Sequence, residues 1–163
     1  MFPDDIIDLA RRVVESAMAR GLMISTAESC TGGLVAGALT AIAGSSAVVE
    51  RGFVTYSNEA KTELLGVPAG LVFEHGAVSE PVARAMAEGA IRHSRAQVAV
   101  AVSGIAGPGG GSAQKPVGLV HFGIAGPAGV AHVERQFTDN GREAIRLESV
   151  RLALGLLLDQ VSG

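Results

Sequence analysis

Seven residues, Gln97 to Ser103, narrow the fold of this chain more than any other stretch, because they read QVAVAVS and scarcely alternate between apolar and polar. A strand of that kind is covered on both faces of its sheet. The rest of the chain therefore has to supply helices for two sides, and its pattern does so. Pro3 to Arg20 begins with acidic residues, carries Ile6, Ile7, Leu9, Ala10, Val13, Val14, Ala17 and Met18 at helical spacing, and stops at Arg20-Gly21. Leu22 to Thr26 is too short for anything but a strand. Thr31 to Ala43 consists mostly of small residues, which predicts a closely packed helix ended by Gly44-Ser45-Ser46.

Further along, Val48 to Tyr56 is β-rich, and Ser57 or Asn58 can cap a short helix that holds Lys61, Leu64 and Leu65 before Gly66-Val67-Pro68 stops it. Residues 69–78 read as a loop or a short extra turn. Ser79-Glu80-Pro81 opens a helix that runs to about Ser94. After the apolar strand comes a glycine-rich run, 104–112, then two strands, Val117 to Ala125 and Val130 to Phe137, joined by Gly126-Pro127-Ala128-Gly129 as a hairpin. A last helix spans about Arg142 to Gln160, with Ile145, Val150, Leu152, Leu156 and Leu157 as its buried candidates.

This order predicts one domain over residues 1–163, with about five helices. The expected architecture is a three-layer α/β/α sandwich with a mixed, mostly parallel five-stranded sheet and an antiparallel edge hairpin. Ligands of such folds bind beyond the carboxyl ends of the parallel strands. Three polar segments should meet there: Glu28 to Gly33, Tyr56 to Lys61, and Ser103 to Gly111.

Composition removes several functions. A net charge of −3 with 13 scattered basic residues gives no field for a polyanion, and the absence of tryptophan beside a single tyrosine leaves no base-stacking platform, so no nucleic acid partner is expected. One cysteine and four histidines offer neither a disulfide nor a zinc spacing. No run reaches the roughly 20 apolar residues of a membrane span, and Met1-Phe2-Pro3-Asp4-Asp5 lacks the basic and apolar regions of a signal peptide. A cytoplasmic protein with no membrane partner is the expectation.

The chemistry concentrates in Thr26-Ala27-Glu28-Ser29-Cys30-Thr31-Gly32-Gly33, where a strand meets a helix. Paired glycines there let a ligand approach backbone N–H groups. Ser29 can be a helix cap, an anion contact or a nucleophile whose oxyanion is held by the N–H groups of Cys30 to Gly33. A nucleophilic serine needs a base, and no histidine lies in the three segments. Lys61 can serve if an apolar site lowers its pKa, or it can be a solvated lysine beside Glu59 and Glu63. Tyr56 can bridge the two or be an edge-strand aromatic. Glu28 can receive a substrate group, pair with Arg51 or cap a turn. Cys30 can be activated by a helix N-terminus or be a small buried residue, and Thr31 can cap the helix or donate to an anion. The loop holding Ser103, Gly104, Gly107 and Gly109 matches neither the P-loop nor the dinucleotide fingerprint, and is a candidate nest for backbone contacts.

Six blocks in order carry a resemblance: Thr26 to Gly33, Gly44-Ser45-Ser46, Gly52 to Lys61, Gly76-Ala77-Val78-Ser79-Glu80, Ser103-Gly104-Ile105-Ala106-Gly107-Pro108 and Lys115-Pro116-Val117-Gly118. Together they are similar to the CinA C-terminal domain family over essentially the whole chain. The resemblance implies an amidase that hydrolyses the carboxamide of nicotinamide mononucleotide to nicotinic acid mononucleotide and ammonia, in NAD salvage. By the family's serine–lysine chemistry, Ser29 is the nucleophile and Lys61 the base, with Tyr56 relaying protons or fixing the lysine. The scheme uses no metal and no cofactor. Glu28, Cys30, Thr31, Gly32, Gly33, Ser103, Gly104, Gly107, Gly109 and Arg142 are the expected substrate-binding residues, with the glycine loop, Thr31 and Arg142 toward the phosphate of a pyridine mononucleotide. The resemblance also implies a homo-oligomer. The rival expectation is a nucleotide-binding or regulatory module without chemistry.

Overall fold

A computed structural model describes residues 1–163. In chain order the elements are α1 (Asp4–Arg20), β1 (Ile24–Glu28), α2 (Leu34–Thr40), a 3-10 turn (Ser45–Ala47), β2 (Val49–Val54), α3 (Asn58–Leu65), α4 (Ala69–His75), α5 (Glu80–Arg92), β3 (Val98–Gly104), β4 (Leu119–Gly126), β5 (Gly129–Gln136) and α6 (Arg142–Val161). The sheet order is β2-β1-β3-β4-β5. β1 runs parallel to both β2 and β3, whereas β4 is antiparallel to β3 and β5 antiparallel to β4. All strands but β4 therefore point the same way, and the antiparallel hairpin forms one edge, as expected.

Strand β3 shows why the sheet is covered twice. Val98, Val100 and Val102 pack into one buried cluster with residues of α1, α2 and α6, while Ala99 and Ala101 face a second cluster with residues of α3, α4 and α5. Valine on one face and alanine on the other lets α5 lie close to the sheet. The closeness is sharpest at Gly123 in β4, where an added Cβ would stand 2.2 Å from the Ala83 carbonyl oxygen. Gly89 of α5 has a similar contact, 2.1 Å from the carbonyl oxygen of Leu65.

Several boundaries differ from expectation. β1 covers Ile24–Glu28 instead of 22–26, because the Leu22 N–H closes α1 onto the Ala17 carbonyl and Met23 turns its carbonyl to Gln97 and Val98. The shift carries Glu28 into the strand. α2 is shorter than the 31–43 predicted, since Gly32 (φ 58°) and Gly33 (φ 101°) are left-handed and make a turn before it. β2 ends at Val54, two residues short of Tyr56. Residues 69–75, read as a loop or turn, form helix α4, so six α-helices surround the sheet where about five were expected.

The amphipathic stripes mostly hold. Ile6, Ala10, Val13, Val14 and Ala17 of α1 are buried, while Met18 is exposed. In α6 the buried side is Ile145, Ser149, Val150, Ala153, Leu154, Leu157 and Val161, and Leu152 and Leu156 are only half-buried. Gly21 is left-handed (φ 64°) and its N–H closes on Ala17 and Met18, which is the predicted helix stop.

Replacing Gly123 by alanine should force α5 off β4 and cost about 1–3 kcal/mol. Gly155→Ala is the control, because nothing lies within 4 Å of its added Cβ and alanine in a helix interior should gain up to about 1 kcal/mol. Thermal unfolding of the two variants should therefore move in opposite directions.

Candidate active site

The site begins where β1 ends. The Thr55 N–H donates to the Glu28 carbonyl at 2.9 Å and the Ser29 N–H donates to the Val102 carbonyl at 2.9 Å, so both neighbouring strand ends hold this corner. Glu28 itself is fully buried. Its Oε1 accepts from the Val35 N–H at 2.8 Å, and its Oε2 accepts from the Ala36 N–H at 3.0 Å and from Thr26 Oγ1 at 3.2 Å. A carboxylate thus satisfies the first N–H groups of α2, whose own cap position is Gly33 and has no side chain. Glu28 thus acts as the cap of α2 and is not among the residues that line the cavity beside Ser29. Arg51 pairs with Glu50, not with Glu28.

Lys61 meets Ser29 across this corner. Ser57 caps α3 by accepting from the Ala60 N–H at 3.0 Å, which sets Lys61 one turn into the helix with its side chain pointing inward. The lysine is 1% exposed. Its Nζ lies 3.0 Å from Ser29 Oγ and donates to the Thr55 carbonyl at 2.8 Å, with the carbonyls of Tyr56 and Ser57 each at 3.4 Å. Burial lowers its pKa from the usual 10.5, because a charged ammonium loses its water there. In its neutral form the amine could keep N–H bonds to the carbonyls and turn its lone pair to the Ser29 hydroxyl 3.0 Å away.

Ser29 opens onto a cavity of about 250 Å³ lined also by Cys30, Tyr56, Gly104, Ile105, Ala106, Gly107, Gly109, Gly110 and Arg142. The three polar segments converge as the topology predicts. Arg142, at the start of α6, spans the cavity mouth and donates to the Gly107 carbonyl at 2.7 Å and to the Tyr56 hydroxyl at 3.0 Å. No carboxylate pairs with it. A larger hollow of about 370 Å³ lies outside, between α3 and α4, and includes neither Ser29 nor Lys61. No cluster of three His, Cys, Asp or Glu side chains that could hold a metal ion is present.

Other expected site residues divide. Cys30, Gly104, Gly107 and Gly109 line the cavity. The Cys30 thiol is pushed up to about 11, chiefly by burial and further by the Glu28 charge, so it stays protonated and unreactive. Tyr56 lines the cavity, but only its backbone carbonyl approaches Lys61 while its hydroxyl goes to Arg142; it does not join serine to lysine. Thr31, Gly32 and Gly33 lie behind the nucleophile turn and do not line the cavity. The Gly32 N–H is already bonded to the Ser29 carbonyl at 3.0 Å. Ser103 donates to the Ala77 carbonyl at 2.7 Å, ties the loop before α5 to β3 and does not line the cavity.

Two contributors escaped the sequence reading. The Thr55 carbonyl holds Lys61 through the backbone, for which no sequence signal exists. Arg146 donates through Nε to the Cys30 carbonyl at 3.1 Å and through Nη2 to the Thr31 carbonyl at 3.2 Å. Its position, one helical turn after Arg142, was a usable signal.

The family model described as the CinA C-terminal domain matches residues 6–161. The chain belongs to the CinA C-terminal domain family. It is 49% identical over 160 residues to a protein of Escherichia coli strain K12 named nicotinamide-nucleotide amidohydrolase PncC, covering 98% of this chain and 97% of that one. A CinA-like protein of Anaeromyxobacter dehalogenans strain 2CP-C is 51% identical over 94% of this chain, which corresponds to 37% of that longer protein. The crystal structure of competence/damage inducible protein CihA from Agrobacterium tumefaciens superposes with a TM-score of 0.95 at 59% identity, covering 98% of this chain and 99% of the other.

Two outcomes check the site's construction. Glu28→Ala leaves the buried Val35 and Ala36 N–H groups without an acceptor and should cost about 2–4 kcal/mol in denaturant unfolding. In the folded protein at pH 8, Cys30 should react with a disulfide reagent far more slowly than in denaturant, as expected of a buried, protonated thiol.

Proposed function

We propose that this protein hydrolyses the carboxamide of nicotinamide mononucleotide, giving nicotinic acid mononucleotide and ammonia, by a serine–lysine mechanism. The observation that carries the reading is the nearly inaccessible Lys61 amine 3.0 Å from Ser29 Oγ. The near full-length similarity to a protein named for this activity supports the substrate.

Neutral Lys61 accepts the Ser29 proton as Oγ bonds to the amide carbon, and the carbonyl electrons move onto oxygen. Backbone N–H groups at the cavity stabilise that oxyanion. Cys30 is the member of the nucleophile turn that lines the cavity, and neither its N–H nor that of Ala106 in the facing loop bonds to another protein group. The lysine then returns its proton to the departing nitrogen, the C–N bond breaks and ammonia leaves an ester on Ser29. Water attacks that ester, Lys61 takes the water's proton and passes it to Oγ, and the acid is released. No metal or cofactor enters the scheme.

Arg142 has a full positive charge held only by a carbonyl and a phenol oxygen. It suits the substrate phosphate, with N–H groups of the Gly104 to Gly110 loop as further donors. The proposal includes action of residues 1–163 as one domain, in the cytoplasm and in NAD salvage, with no nucleic acid or membrane partner. It also includes a homo-oligomer, for which Phe73 on α4, 93% exposed, offers an apolar contact. No helix is long and apolar enough to cross a membrane.

Ammonia release from nicotinamide mononucleotide tests the reading directly. Ser29→Ala and Lys61→Ala should each lower kcat by about 1,000-fold or more while remaining folded. The acid limb of the pH–rate profile should fall below 10.5, because burial moves Lys61 down from that value, and activity should rise with pH through that limb as the amine loses its proton. In the same window, between the lowered value and 10.5, the unfolded chain binds more protons than the folded one, so stability should rise with pH. Lys61→Met should remove that slope. Normal turnover by Lys61→Ala would refute the mechanism.

A further inference from the structure

We propose that Arg146 is a positioning residue for the nucleophile turn, aiming the Cys30 N–H at the reacting carbonyl oxygen; this rests on the amidase reading above. The peptide planes between Ser29 and Gly32 are anchored one to the next. In a trans peptide the C=O and the next residue's N–H point in opposite directions, so anchoring one aims the other. Arg146 Nη2 donates to the Thr31 carbonyl at 3.2 Å, and the N–H on the far side of that peptide belongs to Gly32. That N–H donates to the Ser29 carbonyl at 3.0 Å. Fixing the Ser29 carbonyl in turn fixes the opposite end of its peptide, the Cys30 N–H, which has no protein acceptor and sits on a residue lining the cavity. Meanwhile Arg146 Nε holds the Cys30 carbonyl at 3.1 Å, so the next peptide is fixed as well.

The choice of arginine is informative. Arg51, Arg84 and Arg151 each meet a carboxylate, whereas Arg146 meets none. Its planar fork reaches two successive carbonyls, which a lysine ammonium cannot match. Its uncompensated charge acts on this turn and partly offsets the rise at Cys30. A cation behind a donor favours negative charge in front of it, so Arg146 serves the transition state through the turn without touching substrate. Gly32 is part of the device: it is left-handed, and a Cβ there would stand 3.4 Å from Arg146 Nη2.

The test compares native protein, Ser29→Ala, Arg146→Met and Arg146→Lys in kcat and KM for ammonia release from nicotinamide mononucleotide, together with thermal unfolding. A fourth measurement is inhibition by the substrate analogue with an aldehyde in place of the carboxamide, which forms a tetrahedral adduct on serine. Arg146→Met should lower kcat by about 100-fold with KM within about threefold, and weaken the aldehyde in parallel with kcat. Arg146→Lys should keep the native unfolding temperature and still lose at least about tenfold in kcat, and it decides the matter if the methionine variant does not fold. A folded variant with kcat within about threefold of native, or one that raises KM alone, overturns the positioning role while Ser29→Ala remains inactive. If native protein and Ser29→Ala release ammonia equally, the amidase reading itself falls, and this inference with it.

Discussion

The carboxyl end of β1 is the constraint on which the rest depends. Glu28 closes the strand and, without leaving it, gives both carboxylate oxygens to the N-terminus of α2. The Thr55 and Ser29 N–H bonds join the same corner to β2's exit and to β3. A buried carboxylate that caps a helix and neutralises its positive end is stable where a free one would be costly. The next residue is Ser29, so the nucleophile candidate stands on a turn tied to β2's exit, to β3 and to α2. Groups that must keep their geometry are well served by rigid supports of this kind.

A second constraint is the desolvation of Lys61. An amine at 1% exposure would be a poor choice for stability alone, since burial works against its charge. The fold accepts it by presenting the Thr55, Tyr56 and Ser57 carbonyls as β2 gives way to α3. Those carbonyls give the amine hydrogen-bond partners, while burial moves its pKa down and so makes its proton easier to lose. Arg142 and Arg146 complete the pattern from α6, one across the cavity mouth and one behind the turn, so α3, α6 and the sheet meet around one small cavity.

How much of this the residues disclosed depends on the kind of information involved. The QVAVAVS run, the helical stripe of α1 and the Gly126 to Gly129 turn are local patterns whose period or chemistry points to one conformation, and β3, α1 and the hairpin follow them closely. Boundaries were less legible, because Leu22 and Met23 are as apolar as the strand they precede, and their hydrogen bonds to Ala17 and Gln97 come from elements elsewhere in the chain. α4 was missed because a seven-residue helix after Pro68 has too few turns to display a period. At the site, Ser29, Lys61 and Arg142 were recognisable as chemistry-bearing types beside glycines. Side chains that bond to backbone were less legible: Glu28 and Ser103 look like binding groups in sequence, and each meets an N–H or a carbonyl that no sequence pattern announces.

The layer architecture and the convergence of three polar segments were thus readable from the residues alone, since both follow from hydrophobic period and from the direction of parallel strands. Only tertiary structure decided protonation and direction. Lys61 is stripped of water, Cys30 is kept as a thiol, Tyr56 faces Arg142 and Arg146 grips the turn because of neighbours 32 to 116 residues away in the chain, at Ser29–Lys61 and Cys30–Arg146 respectively. Burial and hydrogen-bond direction are properties of the assembled environment, and a single residue's identity does not carry them.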